Sequence, residues 1–317
     1  MIRTLLLISA LLCSAFARAE ENLPRYDKYS GLSGNISSIG SDSLAGIMTS
    51  WAEEFSAIYP SVNVQVHAAG SSTAVPALTE GTAQFGPMSR EMQPSEIAAF
   101  EKEYGYEPTA LVVALDALGI FVHQDNPIQG LNFVQLDAIF SATHFCGSEQ
   151  NIQNWSELGV TQPWGRLKIQ KFGRNSVSGT HGVFKSKVLC GGDFSNSVNE
   201  MLGASSVVQA VASTPSTIGY SGVVSGVVGA RLVALDDYGE DYKLPTRGNI
   251  ISGKYPLSRK LYLYVNKPPN RSLSRREREF IRFIYSREGQ EAVSRSGYIS
   301  VSTQLAKQEL AKVGLKL

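Results

Sequence analysis

Lys171-Phe172-Gly173-Arg174-Asn175-Ser176-Val177-Ser178-Gly179-Thr180 sets a fixed cation four residues ahead of a Ser-Gly-Thr turn, and the turn runs into an amphipathic stretch ending near Leu189. Leu167 and Ile169 alternate just before it and read as a strand. Arg174 offers a planar fork of donors. Ser178 to Thr180 fall where a helix leaves its first N–H groups without intrahelical partners. Strand, turn and helix start in this order can grip an oxyanion, although a lone Ser-Gly-Thr is also ordinary helix capping.

Two further turns of the same kind precede it. Gly40-Ser41-Asp42-Ser43-Leu44 lies between a short strand at Ile36 to Ile39 and a helix whose apolar positions are Leu44, Ile47, Met48, Trp51, Phe55 and Ile58. Gly70-Ser71-Ser72-Thr73 lies between the alternating Val62, Val64, Val66 and a helix from about Thr73 to Glu80. Pro76 is tolerated in that first turn because its missing N–H would have no partner there. The chain thus alternates strands with helices, which predicts an α/β protein. Turns that follow the strands of such a sheet gather at its carboxyl edge, the usual place for a ligand. Three helix starts, each worth roughly half a positive charge, together with hydroxyls and one guanidinium, suit a small tetrahedral oxyanion. There is no Gly-x-Gly-x-x-Gly or Walker-type run for a nucleotide.

Residues 1–19 have a basic start at Arg3, an apolar run from Leu5 to Leu12 and the small-x-small triplet Ala17-Arg18-Ala19. They read as a secretory signal peptide cleaved after Ala19. Cys13 lies inside it, behind a bulky Leu12 that disfavours lipid anchoring. No later stretch reaches the roughly 18 apolar residues of a membrane span. Cleavage takes away Arg3 and Arg18 and leaves a net charge of −1, without the basic footprint of a nucleic-acid binder. Cys146 and Cys190 remain as a pair in an exported chain and are expected to form a disulfide. His67, His123, His144 and His181 have no ligand spacing, so neither a metal nor another cofactor is expected.

The remaining 298 residues exceed what one core usually organises, so two lobes are expected. Glu20 to Gly34 is a polar leader expected to fray, most of all over 20–30. Gln84 to Met88 reads as a strand, and Leu111 to Val122 as a long apolar run that crosses between lobes. Leu131 to Phe140 reads as a helix, Val207 to Ala212 as another, and Ile218 to Tyr220 as a strand. Leu261 to Val265 is the return crossing, making a two-strand hinge. Helices are expected at Arg275 to Tyr285, Gln290 to Ser294 and Thr303 to Val313.

Gly40 to Leu44, Gly70-Ser71-Ser72, Phe85-Gly86-Pro87-Met88-Ser89-Arg90, Arg174 to Thr180, Ile218-Gly219-Tyr220 and Tyr255-Pro256-Leu257-Ser258-Arg259 stand in an order that resembles the periplasmic phosphate-binding proteins of ABC transporters, the PstS type. The likeness covers nearly the whole mature chain, and Arg-x-x-x-Ser-Gly-Thr is its most specific part. It implies the type II periplasmic-binding-protein fold, with an interlobe cleft that closes on its ligand. Lobe one would be 31–114 plus 262–317, and lobe two 115–261. It also implies inorganic phosphate held by Ser43 with the Leu44 amide, Ser71, Arg174, Ser178, Gly179 and Thr180. The expected protein is a periplasmic, non-catalytic monomer that delivers phosphate to permease subunits in the inner membrane.

One position departs from the pattern. Many members carry an aspartate just after the Phe-Gly strand, and that place is Ser89 here, followed by Arg90. A carboxylate would accept the proton of hydrogen phosphate and repel sulfate. Asp116 matches an aspartate of the Ser-Arg branch and is the first candidate acceptor, with Asp42 the second. Arg90 would pair with such an acid or touch the anion. Two other readings stand beside this one: a binding, sensory or adhesive module for another oxyanion on the same fold, and a secreted phosphatase using His181 as base.

Overall fold

The computed structural model describes residues 23–223 and 228–317; the signal peptide, its cleavage site and Cys13 lie outside the described residues. In chain order the first elements are β1 (Gly34–Gly40), α1 (Ala45–Ile58), β2 (Val62–Ala68), α2 (Ala74–Thr79), β3 (Phe85–Met88), α3 (Pro94–Tyr104), β4 (Thr109–His123), β5 (Gly130–Asn132) and α4 (Phe133–Phe140). There follow β6 (Gln170–Arg174), α5 (Gly179–Lys187), β7 (Val198–Met201), α6 (Ala204–Ser213), β8 (Thr217–Gly222), β9 (Ala230–Leu232), β10 (Ala234–Asp236) and α7 (Arg247–Ile251). The chain closes with β11 (Ser258–Val265), α8 (Arg275–Ile284), α9 (Arg287–Arg295) and α10 (Thr303–Lys312).

The main sheet runs β2-β1-β3-β11-β4-β8-β6-β7, with β9 on β4. Strands β2, β1 and β3 are parallel, as are β7, β6 and β8, so the turns after β1, β2, β3 and β6 all open at carboxyl ends. β4 is long enough to serve both halves. Its first part pairs with β11 from Thr109 to Ala117, and its second with β8 from Leu118 to Val122. These two antiparallel strands are the two apolar runs, and β4 crosses from one half of the sheet to the other.

The buried side chains fall into two main clusters that part at this crossing. Trp51, Phe55, Phe85, Phe100, Leu111, Leu263 and Phe280 belong to one, and Leu118, Ile120, Phe140, Trp155, Phe184, Tyr220 and Tyr255 to the other. Each large apolar side chain so buried contributes on the order of 1.5–3 kcal/mol. The Cys146–Cys190 disulfide, with Cα atoms 5.2 Å apart, closes a 44-residue separation within the second half.

Two local expectations differ from the structure, and one helix, α3, was not expected. The strand lies at Gln170–Arg174, not at Leu167, because Leu167 ends a 3-10 turn (Trp164–Arg166) by donating its N–H to Trp164 O. α3 had no strong apolar period to announce it, since only Phe100 is buried. It is set instead by Pro94 in its first turn and by Glu96, whose carboxylate accepts from the Gln93 N–H. The leader is tied down from Leu23 onward: Leu23 is buried, Pro24 O accepts from Arg287 N, and the Tyr26 hydroxyl bonds Tyr59 and Glu279. An aromatic side chain supplied that anchor in an otherwise polar stretch.

Candidate anion-binding site

The turn after β1 forms a tight 3-10 turn (Asp42–Leu44) that leads into α1. Neither helix start is capped by a side chain, and Ser43 Oγ is not spent on capping. After β2, Gly70 adopts φ +119, a conformation open to glycine, and delivers Ser71 into the interior. After β6, Ser178 caps α5 by accepting from Thr180 N at 3.2 Å.

These turns meet. An added Cβ on Gly179 would lie 2.4 Å from both Ser71 Oγ and Ser89 Oγ, so the first turn of α5 sits directly on the turns after β2 and β3. Ser72 N donates to Val177 O at 3.2 Å across the same junction. Arg174, only 1% exposed, donates through Nη2 to Asp42 Oδ2 and to Leu202 O (2.7 Å), and through Nε to Met201 O (3.3 Å). Asp42 therefore bridges the turn after β1 to the end of β6.

Among the described residues, Ser41 Oγ, Asp42 Oδ1, Ser43 Oγ and Arg174 Nη1 are buried with no protein hydrogen-bond partner. Asp42 and Arg174 are joined through Oδ2 and Nη2, which leaves Oδ1 and Nη1 of the same ion pair without a protein partner. A buried polar atom left without a partner costs about 1–3 kcal/mol, and four of them around one ion pair mark a place built for a polar ligand. One of the four is an acceptor that cannot donate, the carboxylate oxygen of Asp42.

Other expected residues stand differently. Arg90 is held by Glu96 through two bonds of 2.6 and 2.7 Å and by Ser72 Oγ at 3.2 Å. It lines a cavity of about 640 Å³ together with Gly182, Lys187, Ile250 and Tyr262. Asp116 Oδ2 takes two bonds from Arg259, at 2.6 and 2.8 Å, and the carboxylate also accepts from the Ala117 N–H. Burial pushes its pKa up while Arg259 pulls it back. The Asp116 carboxylate is thus committed to Arg259, whereas Asp42 keeps one buried carboxylate oxygen without a protein partner. The Leu44 N–H reaches Ser41 O at 3.3 Å, a loose closure of its own turn.

Sequence reasoning missed two residues here. Arg259 stands in the quoted Tyr255–Arg259 run, where only its register opposite Asp116 gives it away. Tyr298, in the helical tail, has no local pattern. Its hydroxyl donates to Ser43 O, and burial raises its pKa. The charges of the Asp116–Arg259 and Asp42–Arg174 pairs act on Tyr298 as well, after burial. Tyr298 also lines a cavity of about 690 Å³ together with Asp42, Ser43, Leu202, Gly203 and Ser205.

His181, one residue past Thr180, lays its ring 4.4 Å from that of Phe194. Burial, with Lys185 second, lowers its pKa to about 4. The unfolded chain therefore binds a proton near the ordinary value of 6.5 that the folded one refuses. Stability should be full above that pH and fall as pH drops through the window to about 4. Denaturant titrations at stepped pH check this, and His181→Phe should flatten the slope; an unchanged slope would assign the acid sensitivity elsewhere.

The converging serine turns, the two cores and the shared strands define an α/β protein with a buried polar site. Residues 28–288 match the model of the PBP superfamily domain. The chain is 52% identical over 303 residues to the phosphate-binding protein PstS of Pseudomonas aeruginosa, covering 95% of this chain and 94% of that one. It is 25% identical to a protein of Clostridium perfringens solved with bound phosphate, with TM-score 0.69, over 85% of this chain and all of that one. An ABC-type phosphate transport receptor of Vibrio cholerae superposes with TM-score 0.67 at 25% identity, over 84% and 100%. The chain belongs to the PBP superfamily and, within it, to the PstS phosphate-binding proteins. The type II fold expected from the motifs is the fold observed.

Proposed function

We propose that this protein binds hydrogen phosphate between its two cores and hands it to the membrane subunits of an ABC transporter. Its setting would be the periplasm, reached by cleavage after Ala19, and its working unit a monomer without catalytic activity. The cores act as lobes with the boundaries expected from the sequence, 31–114 plus 262–317 and 115–261. Ser43, Ser71, Ser178, Gly179 and Thr180 surround the anion with Arg174, while Ser89 stands beside Ser71. The relative in Pseudomonas aeruginosa carries phosphate in its name, and the Clostridium perfringens neighbour holds it.

The observation that carries this reading is the Asp42–Arg174 ion pair, which keeps one buried carboxylate oxygen and one buried guanidinium nitrogen free of protein partners. Nη1 meets an unprotonated oxygen of the anion, and Oδ1 accepts the one proton that hydrogen phosphate retains. Sulfate has no proton to give, so Oδ1 would face it unpaired, at a cost of about 1–3 kcal/mol, or roughly tenfold or more in affinity. Asp42 then does what a carboxylate at Ser89 would have done.

Calorimetry with phosphate and sulfate tests the proposal. The unaltered protein should bind phosphate and discriminate against sulfate, and Asp42→Asn should shrink the ratio of the two affinities by about tenfold. Binding of neither anion, or equal binding of both, would overturn the phosphate assignment. An unchanged ratio in Asp42→Asn would move the acceptor to another residue.

A further inference from the structure

Arg259 lies on β11 opposite Asp116 on β4, at the crossing between the two cores. Its guanidinium and the Asp116 carboxylate are each 4% exposed. An ion pair so placed is weak evidence for stability, because desolvation offsets most of the attraction. The remaining contacts of the guanidinium are more informative. Nη1 donates to Thr180 Oγ1 at 2.9 Å and reaches Ser89 O at 3.4 Å. One nitrogen therefore touches the first turn of α5 on one side of the cleft and the end of β3 on the other.

A hydroxyl has one hydrogen and two lone pairs, and a guanidinium can only donate. Thr180 Oγ1 must accept from Arg259, so its hydrogen is turned away from Arg259. The other hydroxyls are set by the same logic. Ser178 Oγ accepts from Thr180 N, and Ser71 Oγ accepts from Ser89 N at 3.0 Å. Each of these three hydroxyls has one lone pair taken up by an internal donor, so its hydrogen is left for another partner: Ser71 Oγ has Ser89 Oγ at 3.3 Å, while those of Ser178 and Thr180 are left for a ligand. The internal donor is a backbone amide for the two serines and the buried guanidinium for Thr180.

We infer that Arg259, anchored by Asp116, is a positioning residue for anion binding: it fixes the Thr180 hydroxyl as a donor to the anion. This rests on the phosphate reading above and adds to it a residue that does not touch the ligand. With their hydrogens turned toward the ligand, Ser178 and Thr180 meet it as donors, while the free carboxylate oxygen of Asp42 is left to accept the anion's proton. Selectivity then comes from the hydrogen-bond polarity of the whole shell as much as from one carboxylate.

The test uses the full mature chain, inorganic phosphate as probe, calorimetry for affinity and thermal unfolding for stability. Arg259→Lys keeps the charge beside Asp116, but one ammonium cannot occupy both Asp116 Oδ2 and Thr180 Oγ1 in the observed geometry. It should weaken phosphate binding about tenfold, the range of one hydrogen bond to a charged group, with the midpoint of unfolding nearly unmoved. Thr180→Val should cost about as much or more, and Arg259→Lys added to Thr180→Val should weaken binding by no more than about twofold further, because both remove the same oriented hydroxyl. The apolar pair Arg259→Met with Asp116→Leu, which leaves no unpaired buried charge, should behave like Arg259→Lys. Unaltered affinity in Arg259→Lys, or full additivity with Thr180→Val, overturns the inference while leaving phosphate binding intact. Failure of the unaltered protein to bind phosphate overturns the underlying reading, and the inference with it.

Discussion

Arg174→Ala is expected to weaken phosphate binding by about a hundredfold or more, the consequence of truncating one partner of a buried, hydrogen-bonded charge pair. The guanidinium contributes twice. Its free Nη1 is the one cationic donor among the unpartnered atoms of the site, and its Nη2 holds Asp42 in place. Without it, the Asp42 carboxylate faces an incoming anion with no compensating charge, so the loss includes repulsion as well as a missing bond. Arg174→Lys separates the two effects. A point charge restores attraction but cannot reach Asp42, Leu202 O and the ligand together, so it should recover only part of the affinity. Stability should change less than binding, because the Asp42 side chain is 20% exposed and can be hydrated when its partner is gone. Calorimetry beside thermal unfolding measures both, and affinity of Arg174→Ala within about threefold of the unaltered protein would place the anion elsewhere.

Much of the fold could be read from the chain because its signals are local. The alternation at Val62, Val64 and Val66, the helical period from Leu44 to Ile58 and the apolar runs at Leu111 and Leu261 each carry their own periodicity, and each became the element it suggested. α3 escaped because its polar face hides one buried aromatic, and its start is written in capping chemistry instead. In the site, the serine turns were legible as sequence, since a helix start needs small polar residues at fixed offsets. The roles of the charges were not. Asp116 and Asp42 are both carboxylates beside an apolar run or a turn, and only the register of β11 on β4 reveals that Arg259 consumes the first. Arg90 is likewise decided by Glu96, six residues on, through a helix that had no strong apolar period. Which acid is free is a property of tertiary pairing.

Gly179→Ala tests whether the turns must touch for the anion to be held. Gly179 has no need of left-handed backbone, so alanine is acceptable to α5 itself and should favour the helix slightly. The obstacle lies across the cleft. The new methyl would stand 2.4 Å from Ser71 Oγ, 2.4 Å from Ser89 Oγ and 3.1 Å from Ser71 Cβ, well inside contact distance. Neither serine can swing away freely, because Ser71 Oγ is bound by Ser89 N and both side chains are buried. The two halves are therefore held apart, and every group that closure brings to the anion, from Arg174 on one side to Ser43 and Ser71 on the other, loses its reach at once. Affinity should fall by about a hundredfold or more, the scale of several lost charge-assisted bonds, while the midpoint of unfolding stays put or rises. Small-angle scattering with saturating phosphate should then report a more extended particle than the unaltered protein gives. A compact, tightly binding Gly179→Ala protein would mean that the contact between α5 and the turns after β2 and β3 is incidental to ligand binding.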